Sequence, residues 1–190
     1  MLDFSHMATL YSKIKVLDHP IHPMLVAFPI TFFATTLVAF IVYAIGGDVL
    51  WYRIGFWANV VGVVTALIAA VPGFLDWLGI PAHLEAKRVG VLHMMLNLIV
   101  VAIFGINIGI QGPHINDFAP SPVLAILLSV VGVVTLLISG YFGWTLVQTH
   151  HVGVNLSREQ EALEPHREMV KSSPGPHGPP TPHTPYRRPM

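Results

Sequence analysis

Cysteine is absent from this chain of 190 residues. Its absence excludes thioether-attached haem, cysteine-ligated iron–sulfur clusters, disulfides and thiol catalysis within the chain. Any redox metal that the protein holds must therefore be bound by histidine, methionine or oxygen ligands.

Charged residues are also scarce, at 11% of the chain, and ten acidic residues balance ten basic ones. A chain without net charge has no field that would recruit nucleic acid.

The middle of each long apolar segment lacks Asp, Glu, Lys and Arg, which excludes the usual charge carriers of transporters and proton pumps. The sequence shows no Ser-His-Asp pattern, phosphate loop or paired carboxylates. We therefore expect an electron-transfer or anchor subunit rather than a stand-alone enzyme.

Apolar residues dominate, at 53% of the chain with a mean hydropathy of +0.63. They form four segments, at about 24–46, 54–79, 88–111 and 122–149, each long enough to cross a hydrocarbon layer of ~30 Å. The connections between them are short, which favours antiparallel neighbours. The sequence predicts an all-α integral membrane protein, a four-helix bundle of up-down-up-down topology over residues 19–151.

The ends of the chain have a different character. Residues 1–18 carry apolar residues at helical spacing opposite two lysines, which predicts an interfacial amphipathic helix. Residues 152–190 become rich in proline and predict a partly disordered tail. Nine of the ten lysines and arginines fall with these ends and the second connection, whereas Arg53 lies on the other side. The positive-inside rule then places both termini in the cytoplasm.

Small residues follow one stripe in the second and fourth segments. They are Gly62, Ala66, Ala69 and Gly73, then Gly132, Ser139, Gly140 and Gly143. Such stripes allow close helix contact or leave room for a flat ligand. Gly105 and Gly109 form a further pair that could serve a homo-oligomer.

Histidine is the compositional anomaly, with eleven residues in the chain. His19 and His22 stand in a His-Pro-Ile-His-Pro stretch whose prolines stiffen the backbone before the first segment. On the predicted topology they lie at the same membrane face as His93, His150 and His151. That convergence favours a cofactor or metal site.

His93 falls about five residues into the third segment, where an imidazole needs a partner. Asn97 follows on the same helix face, one turn later. A lone buried histidine is more often satisfied by a hydrogen bond than by a metal. Asp76 is the acid nearest to the predicted cluster, and we expect it to orient an imidazole through its other nitrogen, as we expect of Asn97 and His151.

These residues resemble an uncharacterised bacterial membrane family, domain of unknown function 2231. The resemblance covers residues 19–154 and is carried by His19 to Pro29, Val71 to Trp77, His93 with Leu96-Asn97, and Ser139 to Gly143 running to His150. It implies four transmembrane helices in the bacterial inner (cytoplasmic) membrane. It also implies a redox neighbourhood with a Rieske-type partner, and it carries the family's histidines onto His19, His22, His93 and His150.

The chain departs from the family's pattern at two places. The resemblance implies a glutamate after the glycine pair of the fourth segment, where this chain has Trp144-Thr145, and a glycine where it has His151. His151 is therefore the weaker ligand candidate.

Three hypotheses about function follow. The first is a b-type haem protein, with two of His22, His93 and His150 as axial ligands and His19 as a further candidate, that passes electrons between a quinone or partner subunit and a soluble redox domain. The second is a site for zinc, copper or iron held by three or four imidazoles. The third is a non-catalytic membrane anchor or assembly subunit.

Overall fold

A computed structural model describes residues 15–16 and 19–153, and over this range it confirms the predicted all-α membrane bundle. The helices are α1 (Ile21–Leu25), α2 (Ala27–Gly46), α3 (Val49–Leu78), α4 (Glu85–Gln111) and α5 (Val123–Gln148), with a single 3-10 turn at Gly112–His114. Four spans are long and apolar enough to cross a membrane: Ile21–Gly46, Val49–Leu78, Glu85–His114 and Val123–Gln148.

The chain enters the first span through a small antiparallel ladder. Strand β1 (Lys15–Val16) pairs with strand β2 (His19–Pro20), with Val16 opposite His19. Lys15 and Val16 are therefore extended, where the sequence predicted the end of an interfacial helix, and they pair with the extended His19-Pro20 step. His22, of the second His-Pro step, lies in helix α1 instead. The other residues of that predicted helix, and the predicted tail from residue 154, lie outside the described residues.

Local chemistry sets the helix ends. α1 and α2 are separated at Val26, because Pro29 has no N–H to donate to the carbonyl of Leu25. Gly47, at φ 72°, ends α2 in the left-handed conformation and donates its N–H to Tyr43 O at 2.8 Å. Asp48 then begins α3 by accepting from the N–H of Leu50 at 2.9 Å.

Apolar side chains cover the outer surface of the bundle, and its interior holds polar side chains as well as aromatic ones. Large apolar residues such as Leu137, which is 70% exposed, line the outer surface of the spans. Fully buried polar residues occupy the interior, among them Thr36, Asn59, Asn107 and Ser129. This distribution suits a bundle whose surface meets lipid. The amide nitrogens of Asn59 and Asn107 donate inside the bundle, whereas their Oδ1 atoms have no hydrogen-bond partner among the described residues.

The bundle consists of two similar helical hairpins. α2 packs most extensively on α3, and α4 on α5, while α2·α5 and α3·α4 contacts close the ring. Residues 60–65 and 130–135 have the same sequence, Val-Val-Gly-Val-Val-Thr, and the first helices match at His22 and His93. The repeat includes Phe33 and Phe104.

The two phenylalanines meet in the middle of the bundle. The rings of Phe33 and Phe104 stack with centroids 3.9 Å apart and planes 8° from parallel. Each ring also fills the space beside a repeat-related glycine, since a Cβ at Gly62 would lie 2.8 Å from Phe33 and one at Gly132 would lie 2.6 Å from Phe104. Phe33 and Phe104 thus join the two hairpins at equivalent positions.

Candidate cofactor site

His22 is fixed against the second helix of its own hairpin. Its Nδ1 lies 2.8 Å from the carbonyl oxygen of Ala69 on α3. Because a carbonyl can only accept, Nδ1 carries the hydrogen and Nε2 keeps its lone pair. One turn further along α3, a Cβ at Gly73 would lie 2.6 Å from the Cε1 of His22, so the close approach of the ring requires glycine there.

His93 repeats this arrangement in the second hairpin. Its Nδ1 lies 2.9 Å from the carbonyl oxygen of Ser139 on α5, and the Ser139 hydroxyl is 3.1 Å from the same nitrogen. A Cβ at Gly143 would lie 2.9 Å from its Cε1. His93 therefore also carries its hydrogen on Nδ1 and packs against a glycine one turn after its acceptor.

His22 and His93, each with its carbonyl acceptor, form two equivalent half-sites. His22 lies in α1 and His93 is the ninth residue of α4, at equivalent positions of the two hairpins, and Ala69 and Ser139 occupy matching positions on α3 and α5. An imidazole whose Nδ1–H is held by a carbonyl is the usual form of a metal-ligating histidine, because that bond fixes the tautomer and the ring orientation.

Asn97 makes the half-sites different. Its Nδ2 lies 3.0 Å from the Nε2 of His93 and 3.0 Å from the main-chain oxygen of the same residue. The matching position in the first hairpin holds Val26, whose side chain has no amide to offer. Within residues 19–153, Nε2 of His22 has no hydrogen-bond partner.

Of the other predicted site residues, His150 and His151 come after α5, and Asp76 lies near the end of α3. His150 follows α5, is half-buried and donates its main-chain N–H to Thr145 O at 3.2 Å. His151 has φ 51°, in the left-handed region that favours glycine, which accounts for the glycine implied at this position by the family. Asp76 is half-buried on α3, one turn beyond Gly73. The backbone of His19 lies in β2, and its side chain is outside what the structure describes.

A bare-metal site receives no support from this part of the chain. In the described residues 15–16 and 19–153, no three residues of the types His, Cys, Asp and Glu lie close enough together to hold a metal ion. Because the side chain of His19 lies outside the described residues, the expected set of three or four imidazoles for zinc, copper or iron stays a prediction.

The carbonyl acceptors of the site are not predicted by the sequence. The small-residue stripes, which predict close helix contact or room for a flat ligand, include Ala69, Gly73, Ser139 and Gly143. In the structure two of these four residues supply carbonyl acceptors and two make room for an imidazole ring. The repeated Val-Val-Gly-Val-Val-Thr stretch was the available signal, because aligning it pairs Ala69 with Ser139 and Gly73 with Gly143.

Comparison with known proteins supports the family resemblance that the sequence shows. The family model described as a predicted membrane protein, DUF2231, matches residues 18–156. No curated protein and no solved structure matches the chain. With a matched region of this length and four membrane-spanning helices, the chain belongs to the family of predicted membrane proteins with domain of unknown function 2231.

Proposed function

We propose that this protein is a membrane electron-transfer protein or redox-complex subunit that holds haem b through His22 and His93. One observation supports the proposal above others: two repeat-related imidazoles, one from each hairpin, each have Nδ1 bonded to a carbonyl of the neighbouring helix. This arrangement turns both Nε2 atoms away from the carbonyl acceptors, so that Nε2 of His22 could ligate directly and Nε2 of His93 could do so on release from Asn97.

The donor set suits a haem without covalent attachment. Two neutral imidazoles are a common axial pair, and helix bundles hold such cofactors between their helices. Bound haem would supply reversible one-electron transfer. The carbonyls of Ala69 and Ser139 would hold the rings, and Asn97 would release Nε2 of His93 while keeping its bond to the main-chain oxygen of that residue.

The proposed surroundings follow from the resemblance and the charge distribution. We place the protein in the bacterial inner membrane with both termini in the cytoplasm. The electron donor or acceptor would be a quinone dissolved in the bilayer or a partner subunit such as a Rieske-type protein. The lipid-facing outer surface of the bundle supports access by a membrane-soluble carrier.

A non-catalytic anchor or assembly subunit is the second candidate, and the hydrogen bonds of His93 favour it. That ring has both nitrogens bonded inside the protein, Nδ1 to Ser139 and Nε2 to Asn97. A histidine satisfied in this way can serve packing alone. In this role the protein would fold and bind its partner without any cofactor.

A reduced-minus-oxidised absorbance spectrum of the protein purified after expression with ample haem tests the proposal. We expect a Soret shift with sharp α and β bands, and loss or displacement of these bands in His22→Ala and in His93→Ala. The exposed histidines His83 and His114 provide controls, and their alanine variants should keep the spectrum. A protein without these bands, or unchanged spectra in both ligand variants, would favour the anchor.

A further inference from the structure

A groove of about 450 Å³ lies at the start of α4, apart from the histidine site. His83, in the connection between α3 and α4, forms one wall. The remainder is formed by Glu85, Arg88, Val89 and Leu92 from the first turns of α4. The groove therefore begins at the membrane surface and descends along a membrane-spanning helix.

The lining changes from charged to apolar along the helix. Glu85, Arg88, Val89 and Leu92 are spaced three or four residues apart and share one helix face. The two charged residues come first and the two apolar residues lie deeper in the span, with Leu92 44% exposed. A phospholipid has the same order, because its charged headgroup lies at the interface and its acyl chains lie in the hydrocarbon layer.

Arg88 has a charge that the described part of the protein does not neutralise. None of the ion pairs or side-chain hydrogen bonds among residues 19–153 involves it, and Glu85, one turn away, is not within ion-pair distance. The neighbouring Lys87 differs, because its Nζ donates to Trp77 O at 2.7 Å and lies 3.6 Å from the Trp77 ring centroid. Arg88 is thus the cation of this helix end that is available to a ligand.

We propose that this groove binds phosphatidylethanolamine. The lipid phosphate lies on Arg88 beside His83, the headgroup ammonium lies at Glu85, and one acyl chain follows Val89 and Leu92. A headgroup with both charges suits a groove that presents both signs, whereas an anionic headgroup without an ammonium is repelled by Glu85. This assignment is independent of any cofactor at His22 and His93.

Native mass spectrometry of the full chain in detergent tests the assignment, with phosphatidylethanolamine, phosphatidylglycerol and phosphatidylcholine of identical acyl chains as probes. We expect wild type to bind phosphatidylethanolamine most tightly. Arg88→Gln should weaken binding of all three lipids, about fivefold for phosphatidylethanolamine. Arg88→Lys should restore most of the loss. Glu85→Gln should remove the preference for phosphatidylethanolamine over phosphatidylcholine, whose methylated ammonium has no N–H to donate.

Arg53 gives the matched control, since it lies at the opposite end of the bundle and its Nε donates to Ile115 O at 3.3 Å. Arg53→Gln should leave all three affinities unchanged. Any one of three results would overturn the proposal. They are equal losses of lipid affinity in the Arg53 and Arg88 variants, no loss of affinity in Arg88→Gln, and tighter binding of phosphatidylglycerol than of phosphatidylethanolamine by wild type. All these residues are exposed, and a circular dichroism spectrum like that of wild type establishes that each variant is folded.

Discussion

His22 and His93 share one feature of their surroundings, since each is bordered by a glycine that no larger residue can replace without movement. The spaces at Gly73 and Gly143 are occupied by the imidazoles themselves. At the residue scale, these glycines therefore set the ring positions as directly as the carbonyl acceptors do.

Gly143→Ala should destabilise the protein, because its Cβ would lie 2.9 Å from the Cε1 of His93. Overpacking of this kind costs about 1–3 kcal/mol. Thermal unfolding in detergent measures the effect. Gly140→Ala is the control on the same helix, since a Cβ there meets nothing within 4 Å, and it should be neutral or slightly stabilising. Equal effects of the two substitutions would contradict the proposed close packing of the ring.

Asn97→Val should make the second half-site like the first by removing the donor to Nε2 of His93. We expect a loss of about 0.5–1.5 kcal/mol in the free energy of unfolding. We also expect the ¹⁵N chemical shift of the His93 Nε2 to move toward the value of an imidazole nitrogen that accepts no hydrogen bond. This shift is measured in protein that contains no haem. Val26→Asn is the reciprocal variant and should shift the Nε2 of His22 in the opposite direction. If the His93 signal does not move in Asn97→Val, the hydrogen bond is absent in solution.

At the scale of the helices, the stacked Phe33 and Phe104 connect the two hairpins. α2 and α4 belong to different hairpins, yet their rings are 3.9 Å apart and fully buried. Phe33→Ala and Phe104→Ala should each destabilise the bundle by about 3–5 kcal/mol, as in other packed cores. Denaturation of the single and double variants should show that the two losses are not additive, with a coupling of about 0.5–1.5 kcal/mol.

Phe118, which is 96% exposed in the connection before α5, serves as the control for this cycle. Phe118→Ala should have little effect on unfolding. Strictly additive losses at Phe33 and Phe104 would show that the rings stabilise their own hairpins separately.

Hydropathy predicted the four spans because burial in lipid requires a long apolar segment, but it placed two helix starts too late. α3 begins at Val49 rather than near residue 54, because Asp48 caps the helix and Trp51, Tyr52 and Arg53 form its first turns. α4 begins at Glu85 rather than near 88, for the related reason that charged residues can lie in a helix end outside the hydrocarbon layer.

The site was predictable only in part. Histidine has a recognisable side chain, so His22 and His93 could be selected, and Asn97 followed from helix spacing. The acceptors are main-chain oxygens of Ala69 and Ser139, and a main-chain oxygen is present at every position. Residue type therefore carries no signal for them, and only the alignment of the two hairpins could have supplied it.

For the whole molecule, the orientation in the membrane stays a prediction from the distribution of Lys and Arg. The chain has no cysteine, so single cysteines can be introduced without background labelling. With a membrane-impermeant maleimide, His114→Cys should be labelled in intact spheroplasts, whereas His83→Cys should be labelled only after lysis. Both positions are exposed in connections at opposite ends of the bundle. The reverse pattern would place the histidine site on the outer side.

The stacked phenylalanines also affect proton movement through the bundle. They lie about 16 Å along the helices from His22 and His93, at ~1.5 Å per residue, and the buried amides of Asn59 and Asn107 lie on their far side. The rings present no group that can accept or pass a proton, so they interrupt the chain of polar side chains through the bundle. Under the proposed function, electron transfer at the histidine end would therefore proceed without proton movement through the middle of the bundle.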